Sequence, residues 1–396
     1  MSTAAIHPAD DAVLARPRRL LLFDPLLLLA GLGLAACSLV ILHGATATAV
    51  RGSPLYYVER QAIYIALGLA IAVLIARVDY SRLREYKFGL YGLLIVSNAL
   101  VFALGSTSLG AQRRFNLPLF QVQPSEFGKL LLVVSLAAFA VDRSRRLHEW
   151  STTARITLLA LGPALLVIAQ PDLGTGMVLV VVGFAMLFLA GTAWKQLAAL
   201  VAMFAVAIAI VLAGAPGLGV HVVKPYQVQR LTGFLNPSSN PRSGGYQIHQ
   251  SLITIGSGQK TGLGVANAKQ TTLGYIPENS TDFVFSVVGE TYGFAGAALV
   301  LLLYALLIWR ALRILTMSKN LYGTLIAGGI LAMLMFQVFV NVGMTVGIMP
   351  VTGVPLPLLS YGGSSVLVTF IALGLLQAIH IQARMASAGK NRTLIS

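Results

Sequence analysis

Thr281-Asp282-Phe283 places a carboxylate where a long polar segment gives way to an apolar stretch of membrane length. Charge at the edge of hydrocarbon is costly unless it has a partner or a task. Asp282 is therefore the first candidate for chemistry. Gln123-Pro124-Ser125-Glu126-Phe127-Gly128-Lys129 opens another apolar stretch. Pro124 suits a first helical turn, and Glu126 and Lys129 at i, i+3 share a helix face. That pair has two readings: a mutually neutralised structural pair, or a polar patch facing a cavity in which Lys129 holds a phosphate. Arg113 and Arg114, a few residues upstream, are either solvated loop cations or the planar guanidinium that a diphosphate fits. Asp172, after Pro171, reads as a turn cap or a site acid. Glu290, in Gly289-Glu290-Thr291-Tyr292-Gly293, needs a buried partner, for which Lys129 or an arginine is the expected supply. The glycine spacing there suggests close helix packing. Gly362-Gly363-Ser364-Ser365 follows a three-proline segment and could offer backbone N–H groups to an anion at a helix start. His43, His221 and His249 show no metal-ligand spacing.

The elements that must position these residues are membrane helices. The chain is 57% hydrophobic and 10% charged, with a mean hydropathy of +0.80. Those values lie far outside the range of a soluble domain. Apolar runs of about 20 residues, enough to cross a bilayer, fall near 22–43, 57–76, 88–105, 124–141, 154–170, 174–191, 195–214, 283–309, 321–346 and 360–383. The expected fold is thus an all-α polytopic membrane protein of ten transmembrane helices. A large extracytoplasmic loop, 215–282, joins helices 7 and 8. Three prolines in 350–357 forbid continuous helix there, so that segment must be buried in protein or line a cavity.

Of the 28 Lys and Arg, 18 fall on the side that carries both termini. By the positive-inside rule those termini are cytoplasmic. The same bias explains the net charge of +15 without nucleic acid, for which no soluble basic domain exists. No cleavable signal peptide is expected, because the first apolar run is too long and lacks a small-residue cleavage site. Cys37 is the single cysteine, so no internal disulfide forms. The expected organisation is a cytoplasmic tail at 1–19, one membrane domain over 20–385 and a cytoplasmic tail at 386–396. Within the long loop, Ile248, Leu252 and Ile255 at i, i+4 and i+7 predict a short amphipathic helix at the outer membrane surface.

Four motifs occur together and in order: Gln123-Pro124-Ser125-Glu126 with Lys129; Pro171-Asp172-Leu173-Gly174-Thr175; Thr281-Asp282-Phe283 with Gly289-Glu290; and Pro357-Leu358-Leu359-Ser360-Tyr361-Gly362-Gly363-Ser364-Ser365. Over about 20 to 385 the chain resembles the SEDS family (shape, elongation, division and sporulation). The Pro350–Pro357 segment looks like the elongation, RodA-like, branch more than the division branch. The resemblance implies a peptidoglycan glycosyltransferase of the bacterial plasma membrane that polymerises lipid II into glycan strands. It also implies a class B penicillin-binding protein as transpeptidase partner. The family's essential acid falls on Asp282. Its polar set near the cavity falls on Arg113 or Arg114, Gln123, Ser125, Glu126, Lys129 and Asp172. The family usually places a basic residue or histidine just before Thr-Asp-Phe, where this chain has Asn279-Ser280.

The implied chemistry suits this residue supply. A sugar hydroxyl is a poor nucleophile and needs a base. A diphosphate leaves as a stabilised anion and needs cations rather than an acid. One carboxylate with Arg or Lys meets both needs, unlike the two-carboxylate plan of glycoside hydrolases. A divalent cation, Mg or Mn, at Asp282 or Asp172 is a compatible addition. Two competing classes remain at this level: a lipid II flippase, and a non-catalytic scaffold for the penicillin-binding protein. Neither a flippase nor a scaffold would form glycan strands.

Overall fold

The structure, a computed structural model, describes residues 22–46, 53, 55–108, 111–116, 121–210, 244–276 and 278–393. Its helices are α1 (Pro25–Thr46), α2 (Tyr56–Arg77), α3 (Lys87–Leu104), α4 (Pro124–Asp142), α5 (Trp150–Ala169), α6 (Leu173–Ala190), α7 (Trp194–Ala209), α8 (Gly244–Ser257), α9 (Lys269–Thr272), α10 (Val284–Met317), α11 (Leu321–Thr345) and α12 (Gly363–Thr393). Among the described residues, nine helices are long and apolar enough to cross a membrane. The tenth expected span is α7, a shorter apolar helix whose continuation past residue 210 lies outside the described residues.

Polar side chains mark several helix starts. The Asp24 carboxylate accepts the N–H groups of Leu26 and Leu27 ahead of Pro25. Asp172 accepts that of Thr175 at the start of α6, and Asn320 that of Gly323 at the start of α11. Each satisfies amides that a helix cannot pair internally. The turn Gln170–Asp172 separates α5 from α6, as its proline predicted, and the two helices pack against each other.

α4 and α12 form the centre, with 83% and 94% of their most apolar windows buried. α2 and α3, at 17% each, present most of their surface outward. Exposed Ile63, Leu67 and Leu74 on α2 and Phe88, Leu93 and Val96 on α3 are what a lipid-facing helix requires. Small residues bring the inner helices close: Gly374 of α12 lies against the backbone of Ala72 on α2, and Gly329 of α11 against Val133 on α4.

Three features depart from expectation. The segment between α3 and α4 carries a small antiparallel sheet, β1 (Ser106–Ser108), β2 (Ala111–Asn116) and β3 (Gln121–Val122), a minor addition to the expected all-α membrane fold. α12 continues to Thr393, through most of the expected C-terminal tail. α8 forms where its apolar spacing predicted, but a different face docks on α10 and α11. Ile248, Ser251 and Thr254 are buried, whereas Leu252 is 45% exposed. The Ser251 hydroxyl reaches the Thr345 carbonyl and the Ser286 hydroxyl, each at 2.6 Å. Polar residues hidden on protein thus displace part of the apolar stripe.

Candidate active site

Asp282 sits in a turn immediately before α10 and is partly exposed. Glu278 heads that turn with φ +56°, a conformation costly for a residue with a side chain. Its carbonyl accepts the N–H groups of Thr281, Asp282 and Phe283. Three further carbonyls, of Ser280, Thr281 and Asp282, accept from the Tyr361 N–H, the Ser360 hydroxyl and the Asn341 side-chain amide. A strained turn held by so many external donors has its position set by the surrounding structure.

The proline-rich segment 350–362 lines this turn. Gly353, with φ +73°, faces the Asp282 carboxylate: a Cβ there would lie 3.4 Å from Oδ2, in van der Waals contact. The same stretch covers the start of α6, because a Cβ on Gly174 would stand 2.7 Å from the Thr352 carbonyl oxygen. Thr352–Val354 therefore lies between the two acids singled out by motif, with Asp282 on one flank and the Asp172 turn on the other. None of the segment is fully exposed, and Leu356–Ser360 are buried in protein, as its broken backbone required.

Asp172 is 3% exposed. Its Oδ2 accepts the Gln123 side-chain amide at 3.0 Å and the Ser125 hydroxyl at 3.2 Å, and its Oδ1 caps α6. Gln123, Ser125 and Asp172 thus form one hydrogen-bonded unit. Ser364 joins it from the start of α12, accepting the Gln123 backbone N–H at 2.9 Å and donating to the Gln121 carbonyl at 3.0 Å. Ser364 therefore fastens β3 and the start of α4 to α12.

Glu126 and Lys129 pair at 2.7 Å with both side chains buried. Arg114 lies exposed on β2, where its guanidinium donates to the Gln121 side chain at 3.1 Å. Arg113 is its neighbour on the same strand.

Glu290 is the clearest correction. Its partner is neither Lys129 nor an arginine. The carboxylate accepts the N–H groups of Gln270 and Thr271, each at 2.9 Å, and the Thr271 hydroxyl at 2.6 Å. It satisfies the amides at the start of α9, where the helix dipole favours negative charge. Gly289 and Gly293 do give the close packing expected of them. What approaches is Ile255 of α8 and the backbone of 260–262.

Among the described residues no three His, Cys, Asp or Glu side chains group into a metal site. Both Asp172 oxygens are already taken by protein donors. The described residues thus form no all-protein cage, and a Mg or Mn ion here would need water and substrate phosphate oxygens to complete its coordination.

Asn341 and Gln61 stand out in the sequence by neither charge nor motif. Gln61 on α2 is fully buried, donates to the Ser38 hydroxyl and the Ser360 carbonyl, and accepts the Gly362 N–H. The available signal was an amide within an apolar helix, which needs a defined partner.

These features define a polytopic helical membrane protein with a carboxylate-bearing turn clamped beneath a proline-rich segment. The chain belongs to the FtsW/RodA/SpoVE family, whose model, described as "Cell cycle protein", matches residues 21–385. It is 37% identical over 364 residues to the peptidoglycan glycosyltransferase MrdB of Escherichia coli K12, covering 92% of this chain and 95% of that one. It is 40% identical over 338 residues to a probable peptidoglycan glycosyltransferase FtsW of Thioalkalivibrio sulfidiphilus, covering 83% and 81%. Among solved structures, a chain from work on polymerization and crosslinking by a peptidoglycan synthase complex matches with TM-score 0.76 at 34% identity, covering 91% of this chain and 98% of that one. The rod shape determining protein RodA of Thermus thermophilus matches with TM-score 0.65 at 30% identity, covering 90% and 96%.

Proposed function

We propose that this chain is a peptidoglycan glycosyltransferase acting in cell shape, with Asp282 as the general base. Lipid II is the substrate: the 4-hydroxyl of an incoming lipid-linked disaccharide attacks the anomeric carbon of the growing strand. The bond from that carbon to the polyprenyl diphosphate breaks, and the diphosphate leaves with the electron pair. Asp282 takes the hydroxyl proton as the new bond forms. Cations offset the charge on the leaving group. Arg114, exposed on β2, and its neighbour Arg113 are assigned this role, with Lys129 as a further cation that must exchange its Glu126 partner to contribute. Gln123, Ser125 and Asp172 bind and orient polar parts of the substrate from beneath the same segment. Both lipid tails stay in the bilayer.

The observation that carries this reading is the placement of Asp282: partly exposed, on a turn fixed by external hydrogen bonds, with its carboxylate against Gly353. Basic residues concentrate on the side of both termini, which supports cytoplasmic ends in the bacterial plasma membrane. The structural relative belongs to work on polymerization and crosslinking by a peptidoglycan synthase complex, which supports a class B penicillin-binding protein as partner. The decisive experiment is strand synthesis from lipid II by purified Asp282→Asn. The variant keeps its size and inserts normally, and polymerisation falls by at least about 10²-fold. Near-normal synthesis would remove Asp282 from the base role, and a wild-type protein that moves lipid II without forming strands would identify a flippase.

A further inference from the structure

The turn that carries Asp282 is gripped by its main chain. Three successive carbonyls accept three donors: Ser280 from the Tyr361 N–H at 2.8 Å, Thr281 from the Ser360 hydroxyl at 2.5 Å, and Asp282 from the Asn341 side-chain amide at 2.9 Å. The Asn341 amide differs from the other two donors because it also donates to the Val354 carbonyl, at 2.7 Å. Val354 follows Gly353, which faces the Asp282 carboxylate closely enough that an added Cβ would touch it. One side chain thus joins the residue bearing the carboxylate to the segment against which that carboxylate rests.

Asn341 is fully buried within α11. Its Oδ1 finds no donor among the described residues. A buried acceptor without a partner is unfavourable, and an apolar side chain of similar volume would avoid that cost. The amide is therefore there for its two N–H groups, each aimed at a carbonyl from a different segment. Without them the Asp282 and Val354 carbonyls would each lose this donor. The turn would stay tied to the proline-rich segment through Ser360 and Tyr361, but Asp282 would lose its link to Val354 and its carboxylate would shift.

We infer that Asn341 is a positioning residue for Asp282, setting the distance between its carboxylate and the Thr352–Val354 segment, with Ser360 as a second support. The inference rests on the assignment of Asp282 as base. It predicts an effect on the chemical step rather than on substrate affinity, because Asn341 acts through Asp282 and does not touch the sugar. A displacement of about 1 Å at a catalytic group costs on the order of 10²-fold in rate.

The test measures kcat and KM for lipid II together with the melting temperature. It uses the full-length chain purified with its penicillin-binding protein. Asn341→Leu removes both donors at similar volume and is expected to lower kcat by about 10- to 100-fold while leaving KM near the wild-type value. Asn341→Gln keeps the amide and is expected to recover part of that loss. Ser360→Ala is expected to lower kcat less, again without raising KM. It carries the test if the Leu variant does not fold. Wild-type kcat in a folded Asn341→Leu, or an unchanged kcat with raised KM, overturns the inference. So does a Gln variant no better than Leu, or wild-type kcat in Ser360→Ala where Leu does not fold. Asp282→Asn in the same assay separates the two assignments. If it is inactive while Asn341→Leu retains wild-type kcat, positioning fails and the base stands; if it is active, the base fails.

Discussion

Lys129 and Glu126 show how a buried charge pair can be tested for what it does. Their side chains are 2% and 4% exposed, so neither charge has water to fall back on. Breaking such a pair by removing one partner costs about 3–5 kcal/mol, whereas removing both is often neutral. Lys129→Met alone is therefore expected to lower the melting temperature in detergent, and Lys129→Met with Glu126→Gln to restore it. Activity then assigns the role. If the double variant recovers both stability and strand synthesis, the pair is structural; if it is stable but inactive, Lys129 serves the diphosphate. The pairing itself was legible from the i, i+3 spacing. The partners of Glu290 were not, because they come from backbone amides twenty residues away that no side-chain pattern advertises.

At the scale of elements, the long apolar runs gave the helices and their approximate ends because membrane length and composition leave little choice. The break inside α10 was not visible in that way. Gly293 has φ 64° and ψ −159°, and the segment 259–264 fills the gap it opens. Leu263 and Gly264 donate to the carbonyls of Glu290 and Thr291, while Phe294 and Ala295 donate to those of Gln259 and Lys260. A glycine in an apolar helix can equally serve helix packing, and only the partner segment decides between the two. With the Glu290 carboxylate on α9, these bonds fasten the segment before Asp282 to the membrane domain. The Asn279 side chain, on its way to Asp282, reaches the Thr271 carbonyl. Glu290→Ala leaves two amides and a hydroxyl without their acceptor. It is expected to speed hydrogen exchange across 269–272 by about tenfold or more and to lower strand synthesis with insertion unchanged. Wild-type protection at 269–272 would show that the carboxylate does not hold α9.

At the scale of the molecule, the same fastening leaves a surface for a partner. On α8 and in the connection to α10 the chain exposes Leu252, Ile253, Leu263, Leu273 and Tyr275, with Leu273 at 64%. The sequence showed that this connection was long and polar, but not that it would turn apolar side chains outward. That follows from the docking of α8 through Ser251 and Thr254. Leu273 and Tyr275 lie directly ahead of the Asp282 turn, and the Tyr275 carbonyl accepts the Tyr246 hydroxyl of α8. A partner packed there can favour one arrangement of the turn only by binding it more tightly than another. The coupling, where it exists, is of the order of 1–3 kcal/mol, or about 5- to 150-fold in affinity. If the proposed penicillin-binding protein stimulates synthesis, Leu273→Asp and Tyr275→Ala, away from the carboxylate, are expected to leave the isolated chain's synthesis unchanged and to lose that stimulation. Co-purification of each variant with the penicillin-binding protein separates lost binding from lost coupling. Equal stimulation of wild type and both variants would place the control of Asp282 elsewhere on the molecule.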